Sequence, residues 1–388
     1  MTLPLAYNLR NLAVRRTTSL LTALGIALTA AVLMAILALV EGLRTSLAAS
    51  GHPLHVLVMR KGSTSELTSL FARSSYQDLK FKPGIARGKD GRPLASLEMV
   101  TVIVLESPEK PDGINITVRG LLPVGIEMRE NLRLMEGRMF EPGKRELIAG
   151  RGVASRYPAA SLGQTIRLGR GEWRVVGVFD AGRSAINSEV LADLNQLSAD
   201  QNRTEVLSSC LLRATDEVAA QALINDLESD RRFNVSAMTE KMYYEQQTRS
   251  AAPVKTMGMF VAIIMAVGSS FAAMNTMYSA VARRGAEIGT LRVLGFSRRS
   301  ILLSFLIESL LLSLAGGLLA CLLVLPLNGM QTGIGSFVTF AELTFDFRIS
   351  PAIMFVGLGF SMLVGALGGL FPARAAARKE ILEALREA

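Results

Sequence analysis

The sequence predicts an α-helical membrane domain of four transmembrane helices with an α+β domain inserted between helices 1 and 2. Three observations carry that prediction. Half of the 388 residues are hydrophobic, and a mean hydropathy of +0.35 exceeds that of an ordinary soluble chain. Four stretches almost free of charge, residues 17–40, 256–282, 300–341 and 349–373, each reach the roughly 20 helical residues that cross a hydrocarbon core. Between the first two lies a polar insert, residues 41–255, large enough for one or two folded units.

Residues 1–16 place Leu5, Leu9, Leu12 and Ala13 among basic neighbours, the pattern of an amphipathic helix on the inner membrane surface. The first span continues outward as a stalk to residue 48. Ala48-Ala49-Ser50 could pass for a signal-peptide cleavage site, but the uncharged run of 24 residues exceeds the 7–15 of a signal core, which favours an uncleaved anchor. Residues 49–238 form the α+β domain. Its clearest element is a β-hairpin over residues 165–180, where Ile166, Leu168, Trp173 and Val175 alternate with polar neighbours around Gly169-Arg170-Gly171. Further strands are expected at 55–59, 97–105, 114–118 and 206–212, and a helix at 217–227. Residues 239–282 return as a second stalk and span, with Pro253 able to kink it; a flexible tether is the competing reading.

Residues 283–299, between the second and third spans, are basic. Read as a short helix, they put Ile288, Leu291 and Leu294 near one face and Arg284, Glu287, Arg292 and Arg298 around the rest. Two readings fit: a docking helix for a partner, or a solvated loop that only enforces topology. The third span covers residues 300–325 and carries one acid, Glu308, whose cost in hydrocarbon calls for a partner, a pathway or snorkelling to the interface. Pro326 and a Gly-rich stretch then open a turn-forming loop, residues 326–348. The fourth span covers 349–373, and residues 374–388 are a basic tail.

Arg10, Arg15 and Arg16, the five arginines of the 283–299 loop, and Arg374, Arg378, Lys379 and Arg386 all flank one side of the spans. The positive-inside rule puts that side in the cytoplasm and the large domain outside. These segments account for most of the net charge of +9. The pI near 9.8 therefore reports topology and anionic lipid rather than nucleic acid.

The chemistry of catalysis is missing from the pattern. No lysine completes a phosphate-binding GxxxxGK[ST] loop. His52 and His55 could begin a metal site but have no Cys or carboxylate near in sequence, so no metal is assigned. Cys210 and Cys321 lie in different regions and are not expected to pair. No catalytic or cofactor-binding residue is expected in this chain.

Three segments carry a resemblance that covers nearly the whole sequence. EIGTLRVLGFSRRSIL (residues 287–302), FLIESLLLSLAGGLL (305–319) and FPARAAARKEILEALRE (371–387), in that order, resemble the MacB/FtsX-type (type VII) permeases of ABC transporters. MEGRMFEP (135–142) and LGQTIRLGRGEWRVVGVF (162–179) are similar to that family's periplasmic core domain. Arg283-Arg284-Gly285-Ala286 stands where the family commonly has Glu-Arg-Thr-Arg, and Ile381 where a Pro is usual.

The resemblance implies a stand-alone, DevC-like permease in a bacterial inner membrane, with ATP and Mg held by a separate ATPase subunit. It implies that Glu287, Ile288, Gly289, Leu291, Arg292, Leu294 and Gly295 contact that ATPase, with Glu308 as the family's intramembrane acid. A second permease copy, in a homodimer or close heterodimer, a periplasmic adaptor and membrane lipid are the other expected partners. The implied function is export driven by mechanotransmission. An FtsX-like transmitter acting on a cell-wall hydrolase and a lipoprotein- or lipid-releasing complex are the alternatives.

Overall fold

The first span is one unbroken helix, Arg16–Ala48, because no proline interrupts it and its apolar run favours internal backbone hydrogen bonds wherever water is excluded. The computed structural model describes residues 10, 14, 16–108, 110–250, 252–335 and 340–378. The surface helix expected at 1–16 and the end of the basic tail therefore lie almost entirely outside the described residues. The chain divides into two compact units, one of membrane helices and one comprising residues 42–252 with 331–346.

Four helices among the described residues are long and apolar enough to cross a membrane. After Arg16–Ala48 these are Ala252–Arg283, Arg298–Val324 and Pro351–Arg378. Small residues let them approach. A Cβ on Gly369 would fall 2.5 Å from the Ser309 side chain, and Ser309 donates its hydroxyl to the Gly365 carbonyl at 2.5 Å. Ser309, which looks out of place in an apolar run, is thus satisfied across the helix pair. Ala27, Ala30, Met34 and Ala38 pack against Ala320, Val324 and Ile353 to form the unit's interior. The fourth helix runs to Arg378 through Pro372, past the end expected at 373. Proline costs one backbone bond, which a helix buried among neighbours tolerates.

The second unit is built on a ten-stranded sheet. Its strands are β1 (His55–Arg60), β2 (Ala95–Ser107), β3 (Lys110–Leu121), β4 (Arg133–Gly137), β5 (Glu146–Gly150), β6 (Thr165–Leu168), β7 (Gly171–Asp180), β8 (Glu189–Asp193), β9 (Ser209–Arg213) and β10 (Val235–Thr239). They run in the order β10-β1-β9-β2-β3-β8-β5-β7-β4, with β6 on β7. Pairing is antiparallel except β3 with β8 and β5 with β7. The 165–180 hairpin forms with Leu168 opposite Gly171 and Ile166 opposite Trp173, and its alternating apolar residues are buried. Helix Glu217–Ser229 buries Ala220, Leu223 and Leu227.

Two expectations are corrected here. The strand expected at 206–212 is broken at Ser208, whose hydroxyl accepts from the Val100 N–H at 2.8 Å and donates to the Val100 carbonyl at 3.3 Å. A side chain replaces the ladder at that point. The loop expected at 326–348 contains a second hairpin, β11 (Gln331–Gly335) and β12 (Glu342–Asp346), paired from Gln331 with Asp346 to Gly335 with Glu342. Its glycines read as turn signals, but Gly333 stands in a strand where a side chain would collide with a neighbour.

Candidate functional site: the coupling segment and the base of the inserted domain

The second span ends at Arg283, and Arg284 leaves helical geometry with φ −110° and ψ 21° before a short helix, Gly285–Val293, begins. Gly295 then turns the chain at φ 91°, a conformation that glycine takes without a Cβ clash. Ser297 caps the third span by accepting from the Ser300 N–H at 3.2 Å.

Within this segment the apolar face does not lie open as expected. Ile288 is only 2% exposed, packed with Met277, Val281, Ile301, Phe305, Ala373 and Ala376; Gly289 is buried as well. Leu291 and Arg292 are half-buried. Val293 and Leu294, at 63% and 66% exposed, form the free apolar tip, next to Gly295. Helical spacing of the apolar residues marks a face but not what covers it, and the unit's own helices do.

Arg284, expected on the solvated side, is 6% exposed. Its Nη1 donates to Glu308 Oε2 at 2.9 Å and its Nε to Glu287 Oε2 at 2.9 Å. The guanidinium lies 5.1 Å from the centre of the Phe305 ring, a cation–π distance. Glu308 is 4% exposed. The acid within the third span therefore has a protein partner, which stands in place of snorkelling: a cation one residue beyond the second span is carried inward by the turn at Arg284. Glu287 is the exposed member, with a side chain 58% accessible.

In the second unit, Arg119 on β3 occupies a hub that sequence patterning did not reveal. Arg119 stands opposite Val100, Leu121 opposite Glu98, and Thr117 opposite Glu189, so period-two alternation sets Glu98, Arg119 and Glu189 on one sheet face. Arg119 donates to Glu66 Oε1 and Oε2 at 2.8 and 2.9 Å, to Glu98 Oε2 at 2.8 Å, and to Glu189 Oε2 and Oε1 at 2.6 and 3.0 Å. Arg129 adds two bonds to Glu98, at 2.8 and 2.9 Å. Burial opposes ionisation of Glu98, but the Arg129 and Arg119 guanidiniums overcome it and pull its carboxyl down to about 2. The signal that could have found this hub is a lone acid inside an apolar strand, Glu98 in ASLEMVTVIV.

Beside Arg119 opens a cavity of about 50 Å³, lined also by Leu47, Glu189, Tyr243, Gln247 and Glu342. The chain's entry to this unit and its exit meet close by. His55 Nδ1 lies 2.8 Å from Glu240 Oε2, and the same oxygen accepts from the His52 N–H at 3.1 Å. Burial, then neighbouring His55, lowers the His52 pKa. The two histidines thus clasp the start of the helix Glu240–Ser250. Cys210 and Cys321 are both free thiols, and burial pushes the Cys210 thiol up.

Comparison with known proteins gives two family matches: the MacB-like periplasmic core domain over residues 19–230, and the FtsX-like permease C-terminal region over residues 259–381. The chain is 28% identical to the macrolide export ATP-binding/permease protein MacB of Bdellovibrio bacteriovorus, over 97% of this chain and 60% of that protein. It therefore spans less than two thirds of that relative's length. It is 25% identical to YknZ of Bacillus subtilis, an uncharacterised ABC transporter permease, over 95% of this chain and 94% of that one. Among solved structures, the periplasmic region of MacB from Actinobacillus actinomycetemcomitans superposes with a TM-score of 0.38 at 12% identity, covering 51% of this chain and 94% of that one. With the first match taking in the inserted domain and the second the three spans that follow, this multi-pass membrane protein belongs to the MacB/FtsX-like family of ABC transporter permeases.

Proposed function

We propose that this permease exports a substrate by mechanotransmission, taking work from a separate ATPase at its coupling segment and delivering it to the inserted domain outside the membrane. The observation that carries this reading is the pinning of Arg284 to Glu308. It ties the segment to the third span while Val293 and Leu294 stay exposed at its tip. A partner pressing on that tip moves a span, because the intervening joint is a buried charge pair with good geometry. In this reading Leu294, Gly295, Glu287 and the accessible edges of Leu291 and Arg292 meet the ATPase, whereas Ile288 and Gly289 hold the segment in its own unit.

ATP and Mg sit on the partner, and this chain supplies no catalytic group. The basic flanks support a cytoplasmic position for the segment and a periplasmic one for the inserted domain. A second permease copy and a periplasmic adaptor complete the pump, with the Bdellovibrio relative, a macrolide export protein by name, pointing to efflux as the process.

The test is the double substitution Val293→Asp and Leu294→Asp in the full chain reconstituted with its ATPase. Removing the apolar tip of an interface is expected to lower permease-dependent ATP hydrolysis roughly tenfold or more, with membrane insertion and thermal stability unchanged. Hydrolysis at the wild-type rate would overturn the docking assignment.

A further inference from the structure

We propose that the hairpin between the third and fourth spans is a third load-bearing connection into the inserted domain, after the two chain segments that enter and leave it, and that Glu342 is its latch. The inference rests on the coupling reading above. Residues 331–346 belong to the same compact unit as the ten-stranded domain, although residues 253–330 separate them from the rest of it in sequence.

What holds them there is specific. The Glu342 side chain is 0% exposed. It accepts from Arg156 Nη1 at 2.8 Å and from the Tyr157 hydroxyl. A Cβ on Gly333, across the hairpin, would coincide with the Glu342 carboxylate, so the strand leaves room for the latch only as glycine. Ser188 exchanges two bonds with the Thr344 backbone, accepting from its N–H at 2.7 Å and donating to its carbonyl at 3.2 Å. The Asn115 amide donates to the Phe340 carbonyl at 2.8 Å. Attachments thus reach β3, the turn before β8 and the segment after β5, three separate parts of the domain.

A load path also needs legs without slack. The third span closes in a short turn, Leu325–Leu327, and the fourth begins at Pro351. Between these ends Gly329 donates to the Phe347 carbonyl at 3.0 Å, Phe347 to the Met330 carbonyl at 2.9 Å, and Ile349 to Asn328 Oδ1 at 3.0 Å. The legs are zipped from the first residues past the helices. Displacement of the third span, which Arg284 and Glu308 tie to the coupling segment, is therefore passed to the hairpin instead of being absorbed by loose chain.

The experiment is hydrogen–deuterium exchange on the full chain in lipid nanodiscs, alone and with its ATPase and ATP, for wild type, Glu342→Gln and Gly333→Ala. In the resting wild type, residues 331–346 should exchange as slowly as β2 and β3. Either substitution should speed exchange there roughly tenfold or more, as expected when bonds to a buried charge are lost, while Trp173 emission reports an intact domain. With ATP, the wild type should show altered exchange around Arg156 and Tyr157, and the variants should lose it while retaining ATP hydrolysis. A resting wild-type hairpin that exchanges like free loop overturns the latch. A wild-type ATP response that Glu342→Gln leaves unchanged overturns the linkage alone. A protected hairpin with no ATP response in wild type overturns the pump reading and the linkage with it.

Discussion

Each of the two units buries an arginine against carboxylates, and they do so in different ways. In the inserted domain all five N–H groups of Arg119 meet carboxylate oxygens, from Glu66, Glu98 and Glu189. In the membrane unit Arg284 reaches buried Glu308 and exposed Glu287. Removing charges from water is costly in both places, and good geometry with full hydrogen bonding is what offsets the cost. The Arg119 hub joins several strands and a loop, so it fixes the shape of a domain. The Arg284 pair joins one short helix to one span and fixes a single joint. A transmission is expected to need both: a body that does not deform, and a connection that carries movement into it.

The largest effect should come from removing the hub. Arg119→Met leaves three carboxylates without their shared cation and is expected to destabilise the domain by at least about 3–5 kcal/mol. The chain has one tryptophan, Trp173, fully buried and bonded to Asp200 at 3.0 Å, so urea unfolding followed by its emission reports this domain alone. A loss under about 1 kcal/mol would show that the hub is not what makes the domain stiff.

Acid tests the same hub without mutation. Glu98 is held at about 2 against an ordinary 4.5, so its contribution is present above pH 4.5 and lost as pH falls toward 2. Stability on the order of 3 kcal/mol should disappear across that window. Glu98→Gln should flatten this part of the pH profile, and an unflattened profile would assign the acid sensitivity elsewhere.

The joint should yield less. Glu308→Gln leaves Arg284 its bond to Glu287 and is expected to cost about 2 kcal/mol in thermal unfolding of the membrane unit. Glu287→Gln, at an exposed position, should cost under about 0.5 kcal/mol. Equal costs for the two would erase the distinction between the buried and the exposed partner. Replacing Arg284 and Glu308 together by methionine should restore stability to within about 1 kcal/mol but not the coupling to ATP hydrolysis.

The spans were legible in the sequence because a long uncharged run has few folded solutions in lipid. The 165–180 hairpin was legible because period-two burial and its turn residues agree locally. Ile288 shows where local reading stops: its helical face was evident, but not that the face packs on the protein's own spans. Arg284 and Glu308 are 24 residues apart, and only the turn between them brings them together. Arg119 and Glu189 each look like an ordinary polar position on a strand, and Glu98, though a lone acid in an apolar run, does not name its partners; their meeting depends on which strands are neighbours. The 331–346 hairpin misled in the opposite sense, since a glycine that signals a turn serves here to admit a buried carboxylate.

The clasp between His55 and Glu240 has a consequence for how such a domain is exchanged. A Cβ on Gly51 would fall 2.5 Å from the Lys241 Cα, so the polypeptide enters and leaves the domain at nearly one point. A fold whose ends meet comes close to a cassette, but the 331–346 hairpin is seated in it as well, so an exchanged domain has to bring a matching hairpin with it. Inserted domains could thus be traded among chains of this architecture by replacing residues 42–252 and 331–346 together, the membrane helices keeping their sequence.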